Sequence, residues 1–227
     1  MKYQWIIFDA DETLFHFDVC AGLTRLFKGY GVEFSRTDFT EFQAVNKPLW
    51  VDYQNGLITA KELQTKRFQR WADKLDTDPV LLNQQFIESM ADICQCLPGA
   101  KKLLTLLHGK AKLAIITNGF TALQQIRLER TGLGEFFEHI IISEQVGAAK
   151  PSAKIFDYAM EQLGNPKKSQ VLMVGDTLSS DILGGKHYGL DTCWINHAGN
   201  KERDTVGATY QVACLTSLYQ LLKDVGF

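Results

Sequence analysis

A chain of 227 residues, 45% hydrophobic and 22% charged, has ordinary globular composition. This excludes a tail, a linker or a low-complexity array and leaves room for one large domain or for a core with an inserted lobe. The net charge of −2 supplies no basic field for nucleic acid or an anionic membrane surface, so small ligands are expected.

The first element in chain order is an apolar run, Trp5-Ile6-Ile7-Phe8, that ends abruptly on Asp9-Ala10-Asp11-Glu12-Thr13. A strand beginning by residue 5 leaves no room for a signal peptide, and no apolar run approaches the ~18 residues of a membrane span. Five scattered cysteines (Cys20, Cys94, Cys96, Cys193, Cys214) lack metal-knuckle spacing and read as reduced thiols. A cytoplasmic protein is expected. Just past a strand end, two carboxylates one residue apart can lean into one cleft. They repel each other there, so a cation, a proton or a counter-charge is required between them.

After Thr13 the next strand-like run comes only near residue 112, and everything between reads as helix. The expected division is a discontinuous core, 1–15 with 96–227, interrupted by an all-helical lobe over 16–95. Inside the lobe, Gln43-Ala44-Val45-Asn46-Lys47-Pro48-Leu49-Trp50 is a polar and aromatic segment. Thr59-Ala60-Lys61-Glu62 is a capping box opening a helix that carries Leu63, Phe68, Trp71 and Leu75. Asp76 to Asp78 break this helix and Pro79 restarts it, with Leu82, Phe86, Met90 and Ile93 keeping the helical period up to Pro98-Gly99.

From residue 112 onward, short apolar runs at 113–117, 140–143, 171–175 and 192–196 alternate with helical patterns such as 122–130 and 155–163. That alternation predicts an α/β fold with a parallel sheet covered on both faces. In such sheets ligands bind beyond the carboxyl ends of the strands. Those ends carry Asp9 and Asp11, then Thr117-Asn118-Gly119, then Gly175-Asp176, while Lys150 follows a Gly-Ala-Ala loop after a fourth strand.

In this order, Asp9-Ala10-Asp11-Glu12-Thr13, Thr117-Asn118, Lys150 and Gly175-Asp176 through Asp181 resemble the four motifs of the haloacid dehalogenase (HAD) superfamily, in its phosphatase branch. The resemblance implies a Rossmann-like core with a central parallel sheet, the helical lobe as a cap between the first and second motifs, and phosphoryl transfer. It also implies Mg²⁺, with Mn²⁺ as a substitute, held by Asp9, the backbone carbonyl of Asp11, and Asp176; hard oxygen ligands suit this ion. Asp9 would be the nucleophile that forms an aspartyl-phosphate, and Asp11 the general acid and base. Thr117, Asn118 and Lys150 would bind the phosphoryl oxygens. Asp181 would orient a metal-bound water or Lys150 from behind. Halide leaves without protonation, so the presence of Asp11 argues for phosphate esters over haloacids.

The stretches 43–50 and 121–132 further resemble bacterial pyrimidine 5′-nucleotidases. This implies hydrolysis of nucleoside monophosphates such as UMP, dUMP and dTMP, including the clearing of non-canonical pyrimidine nucleotides. Asn46, Lys47 and Trp50 would then select the base, Trp50 by stacking and Asn46 through its amide. Alternatively, Trp50 belongs to the lobe's core and Asn46 caps a turn before Pro48. Two other readings stand beside the nucleotidase: a phosphatase or mutase acting on a small sugar phosphate, and a binding module with a decayed site. Nothing in the sequence sets an oligomeric state.

Overall fold

In the computed structural model, which describes residues 2–197 and 202–226, the apolar runs assemble into a six-stranded parallel sheet. In chain order the strands are β1 (Trp5–Phe8), β2 (Phe15–His16), β3 (Gln95–Cys96), β4 (Lys112–Thr117), β5 (His139–Ile142), β6 (Val171–Gly175), β7 (Asp191–Ile195) and β8 (Tyr210–Val212). The sheet runs β5-β4-β1-β6-β7-β8, so the first strand lies between partners made much later, Trp5 pairing with both Lys112 and Val171. Every residue of β1 and β6 is buried, which is why these strands read as unbroken apolar runs rather than alternating ones.

The helices are α1 (Val19–Lys28), α2 (Arg36–Gln54), α3 (Ala60–Lys66), α4 (Gln69–Leu75), α5 (Pro79–Asp92), α6 (Ala100–Leu107), α7 (Thr121–Thr131), α8 (Ser143–Val146), α9 (Ala153–Gln162), α10 (Leu183–Tyr188) and α11 (Leu215–Asp224). One face of the sheet, carrying Trp5, Ile7, Ala114, Ile116 and Met173, packs on Ile155, Phe156, Ala159 and Met160 of α9. This is the Rossmann-like layering expected from the β/α alternation. Among the described residues, no helix is long and apolar enough to cross a membrane, and none of the five cysteines is disulfide-bonded.

The chain divides into two compact units. The first, containing the sheet, is Met1–His16, Gln95–Gly119 and Leu128–Phe227; the second is helical and comprises Phe17–Cys94 with Phe120–Arg127. In the helical unit Asp18 caps α1 through the Ala21 N–H at 2.9 Å, Ser35 and Asp38 form a capping box on α2, and Thr59 and Glu62 form the one expected on α3. Such caps contribute about 1 kcal/mol each. Leu23, Phe27, Phe34, Phe42, Phe68, Trp71, Leu82, Phe86 and Met90 form this unit's core.

Four details differ from the expectation. The single helix predicted from Leu63 to Leu75 is two, α3 and α4, interrupted at Arg67 and Phe68. Leu63 and Phe68 are five residues apart, which at about 100° per residue puts them some 140° apart on a straight helix; the break turns both inward. No turn precedes Pro48: α2 runs through it, and the lost hydrogen bond, a defect worth roughly 3 kcal/mol, is absorbed. The stretch after Thr13 is not wholly helical, because β2 and β3 pair antiparallel. Finally β8 extends the sheet beside β7, in a region that showed no strand pattern.

Candidate active site

Three adjacent strands, β4, β1 and β6, end on Thr117, Asp9 and Asp176, and β1 is where the strand order reverses. This is the crevice position for a ligand in an open α/β sheet. The Asp9 backbone N–H continues the β1–β6 ladder, donating to the Val174 carbonyl at 2.8 Å, so the carboxylate projects from the last ordered rung of the sheet.

Lys150 is 1% exposed, and its ammonium has three oxygen partners: Asp9 Oδ1 at 2.5 Å, the Ile116 carbonyl at 2.7 Å and Asp181 Oδ1 at 2.7 Å. An ammonium has three donors, so all are engaged. Asn118 fixes this lysine's backbone by a reciprocal pair: its Nδ2 donates to the Lys150 carbonyl at 2.9 Å and its Oδ1 accepts from the Lys150 N–H at 2.7 Å. Thr117 Oγ1 accepts from the Gly119 N–H at 3.0 Å, which leaves its hydroxyl proton to donate.

After β6 the chain enters a π-helical turn, Leu178–Ile182, that brings Asp181 back under the strand end. Its Oδ2 accepts from the Thr177 N–H at 3.0 Å while its other oxygen holds Lys150. Gly175 makes the close approach possible: a Cβ there would lie 2.2 to 2.4 Å from Asp181 side-chain atoms. Asp176 is anchored through its carbonyl, which accepts from Trp194 Nε1 at 2.8 Å.

Asp9, Asp176 and Asp181 present carboxylate oxygens all within 4.8 Å of one another. Burial pushes the Asp176 carboxyl up to about 7, and the Asp181 charge adds to this. Burial likewise holds Asp9 well above the usual carboxylate range, against the pull of Lys150 and with the charges of Asp181, Asp176 and Asp11. For Lys150 burial disfavours the charge, but Asp181 and Asp9 outweigh it and its pKa is raised. Three carboxyl groups thus face one ammonium, an oxygen-only donor set of the kind that suits a divalent cation.

Asp11 stands half-buried in a tight loop: Glu12 adopts φ 52°, its N–H donates to the Phe15 carbonyl at 2.7 Å, and its own carbonyl is held by His197 Nε2 at 2.6 Å. Of the residues expected to select a base, Lys47 is exposed on α2 and Asn46 is buried, with no partner for Oδ1. Trp50 is half-buried and stacks on Phe120, with centroids 5.3 Å apart and planes at 27°. Phe120, in the helical unit, carries no motif in the sequence.

A model of the haloacid dehalogenase-like hydrolases matches residues 3–189. The pyrimidine 5′-nucleotidase YjjG of Escherichia coli is 58% identical over 222 residues, covering 98% of this chain and 99% of that protein. The pyrimidine 5′-nucleotidase PynA of Streptococcus pneumoniae is 34% identical, covering 98% and 96%. Among solved structures, the HAD hydrolase YfnB of Bacillus subtilis, described as bound to magnesium and showing interdomain movement, superposes with a TM-score of 0.86 at 30% identity over 98% of this chain and 100% of its own.

Proposed function

Because the chain belongs to the haloacid dehalogenase-like hydrolases, we propose that it hydrolyses pyrimidine nucleoside 5′-monophosphates such as UMP, dUMP and dTMP to nucleoside and phosphate, in the cytoplasm. The observation that carries the reading is the 58% identity to a pyrimidine 5′-nucleotidase, which covers 98% of the chain and so includes the helical unit as well as the core. A role in clearing non-canonical pyrimidine monophosphates follows from the same likeness.

In this reading the Asp9 carboxylate attacks phosphorus, forming an aspartyl-phosphate as the ester P–O bond breaks. Lys150 holds Oδ1, which leaves Oδ2 as the attacking oxygen. Asp11 protonates the departing 5′-oxygen and then accepts a proton from the water that hydrolyses the intermediate. The Thr117 hydroxyl and the Asn118 backbone amide donate to the phosphoryl oxygens, where charge accumulates. With its three donors engaged, Lys150 acts first as the charge beside phosphorus; it can donate to a phosphoryl oxygen only by releasing one partner. Asp181 holds Lys150 in place. A Mg²⁺ held by Asp9, Asp176 and the Asp11 carbonyl would offset carboxylate repulsion and orient the phosphate.

A panel of phosphate esters assayed with Mg²⁺ tests the proposal. UMP, dUMP and dTMP should exceed AMP and GMP by roughly ten- to two-hundredfold in kcat/KM, the range of discrimination by packing one ring against two. Equal efficiency on purine and pyrimidine monophosphates, or better hydrolysis of sugar phosphates than of either, would sink the nucleotidase reading and leave the phosphatase standing.

A further inference from the structure

Strand β7 carries none of the four motifs, yet donors from it and from the loop it feeds reach the loops after β6 and β1. Trp194, on β7, donates from Nε1 to the Asp176 carbonyl at 2.8 Å. Just past the strand, His197 Nε2 lies 2.6 Å from the Glu12 carbonyl oxygen, a contact between residues 185 apart in sequence. β6 separates β7 from β1 in the sheet, so this second contact ties together the loops that leave the strands on either side of it. A carbonyl oxygen only accepts, so the ring nitrogen donates and Nε2 carries the proton.

His197 reaches out from a fixed base. The residue before it still belongs to the sheet, the Asn196 N–H donating to the Val212 carbonyl of β8 at 2.9 Å. The imidazole is half-buried. The loop that receives it is drawn tight by its own backbone: the Leu14 and Phe15 N–H groups both donate to the Ala10 carbonyl, at 2.9 and 3.0 Å, and the Glu12 N–H donates to the Phe15 carbonyl at 2.7 Å.

Inside this loop Glu12 has φ 52°, the left-handed region that a residue with a Cβ rarely adopts and that persists only where its surroundings hold it. Two bonds do the holding, one on each side of its Cα. The Glu12 N–H, taken by Phe15, lies in the same peptide plane as the Asp11 carbonyl, and the Glu12 carbonyl, taken by His197, belongs to the next plane. Together they set both backbone torsions of Glu12, and so the direction in which the chain leaves Asp11. The Glu12 carboxylate meets His16 Nδ1 at 3.0 Å, but this contact is at the surface and restrains the side chain rather than the backbone. A carboxyl that transfers a proton must stand within hydrogen-bond reach of the oxygen it serves, and small displacements are costly in rate.

We propose that His197 is a positioning residue for Asp11: by donating to the Glu12 carbonyl it holds the left-handed turn that aims the Asp11 carboxyl at the departing oxygen. The inference rests on the phosphatase reading above, with Asp11 as the leaving-group acid. His197 serves as a hydrogen-bond donor, a role that the amide of a glutamine can fill and that of an asparagine, one methylene shorter, cannot.

The test compares wild type, His197→Ala, His197→Gln, His197→Asn, Asp11→Asn and the double variant Asp11→Asn with His197→Ala, all in saturating Mg²⁺. Single-turnover release of uridine from UMP and of p-nitrophenol from p-nitrophenyl phosphate reports the first step on a poor and on a good leaving group. His197→Ala should slow uridine release about tenfold or more, slow p-nitrophenol release less than about threefold, and leave the steady-state KM for UMP within about twofold. His197→Gln should recover most of the uridine rate and His197→Asn should not. Added to Asp11→Asn, His197→Ala should cost less than about twofold further, because the carboxyl it positions is already gone. A histidine that only holds the fold would slow both esters equally, or add its full loss to that of Asp11→Asn, and either result overturns the proposal. If His197→Ala fails to fold, the other two variants decide, because equal uridine release by His197→Gln and His197→Asn refutes the bond. A wild type that does not hydrolyse UMP removes the nucleotidase reading, and the same comparison then uses an alkyl phosphate that it does hydrolyse. Equal losses of Asp11→Asn on both esters overturn the general-acid reading and this inference with it, whereas the expected contrast in Asp11→Asn without one in His197→Ala overturns His197 alone.

Discussion

Asp9 and Asp11 were visible in the sequence because two carboxylates one residue apart, directly after a buried strand, have few structural uses. Their consequences separate experimentally. Asp9→Asn should lower turnover by at least about a thousandfold while the thermal melt remains cooperative, since a nucleophile acts as part of a unit with the groups around it; turnover near wild type would remove the covalent mechanism. Asp11→Asn should slow nucleotide hydrolysis far more than the first step on p-nitrophenyl phosphate, whose leaving group needs little protonation. Equal first-step losses on both would mean that Asp11 is not the leaving-group acid. Other residues were less legible. Lys150 could be found by motif order, but not that its ammonium would already be shared among Asp9, Asp181 and the Ile116 carbonyl.

At the scale of elements, long buried strands and capped helices were readable, and short or interrupted ones were not. β1, β4 and β6 announced themselves as apolar runs, and the Thr59 capping box marked the start of α3. The pairs Phe15–His16 and Gln95–Cys96 are too short for a period to register, and their pairing joins segments far apart in sequence. The turn after β6 depends on a contact rather than a pattern. Gly175→Ala would place a Cβ against Asp181, and overpacking of this kind costs about 1 to 3 kcal/mol. The variant should show that loss in a urea melt together with more than about tenfold lower kcat, because Asp181 must shift and with it Lys150. A fully active, fully stable Gly175→Ala protein would show that the Asp181 position is not critical.

For the whole molecule, the carboxylate cluster couples stability to pH and to the divalent cation. Burial raises the Asp176 pKa from 3.8 to about 7, so the folded state binds its proton more tightly than the unfolded chain does. That contribution is complete below about pH 4 and is lost as pH rises through about 7. A cation binds the ionised form and offsets the loss. The gain in Tm on replacing EDTA by Mg²⁺ should therefore be larger at pH 8 than at pH 5, and should shrink in Asp176→Asn. An equal gain at both pH values would disconnect Asp176 from the cation. In EDTA, phosphatase activity should disappear.

The placement of β1 between β4 and β6 has a consequence for how the protein is made. During synthesis the first strand leaves the ribosome more than a hundred residues before Lys112 of β4, and still longer before Val171 of β6. Most of the helical core, from Leu23 to Ala91, emerges in that interval, so α1 and α5 can pack together before β4 is made. Asp9 therefore waits for a lysine 141 residues downstream and for two aspartates beyond it. A chain ending before Asp181 would lack the carboxylate that shares the Lys150 ammonium with Asp9.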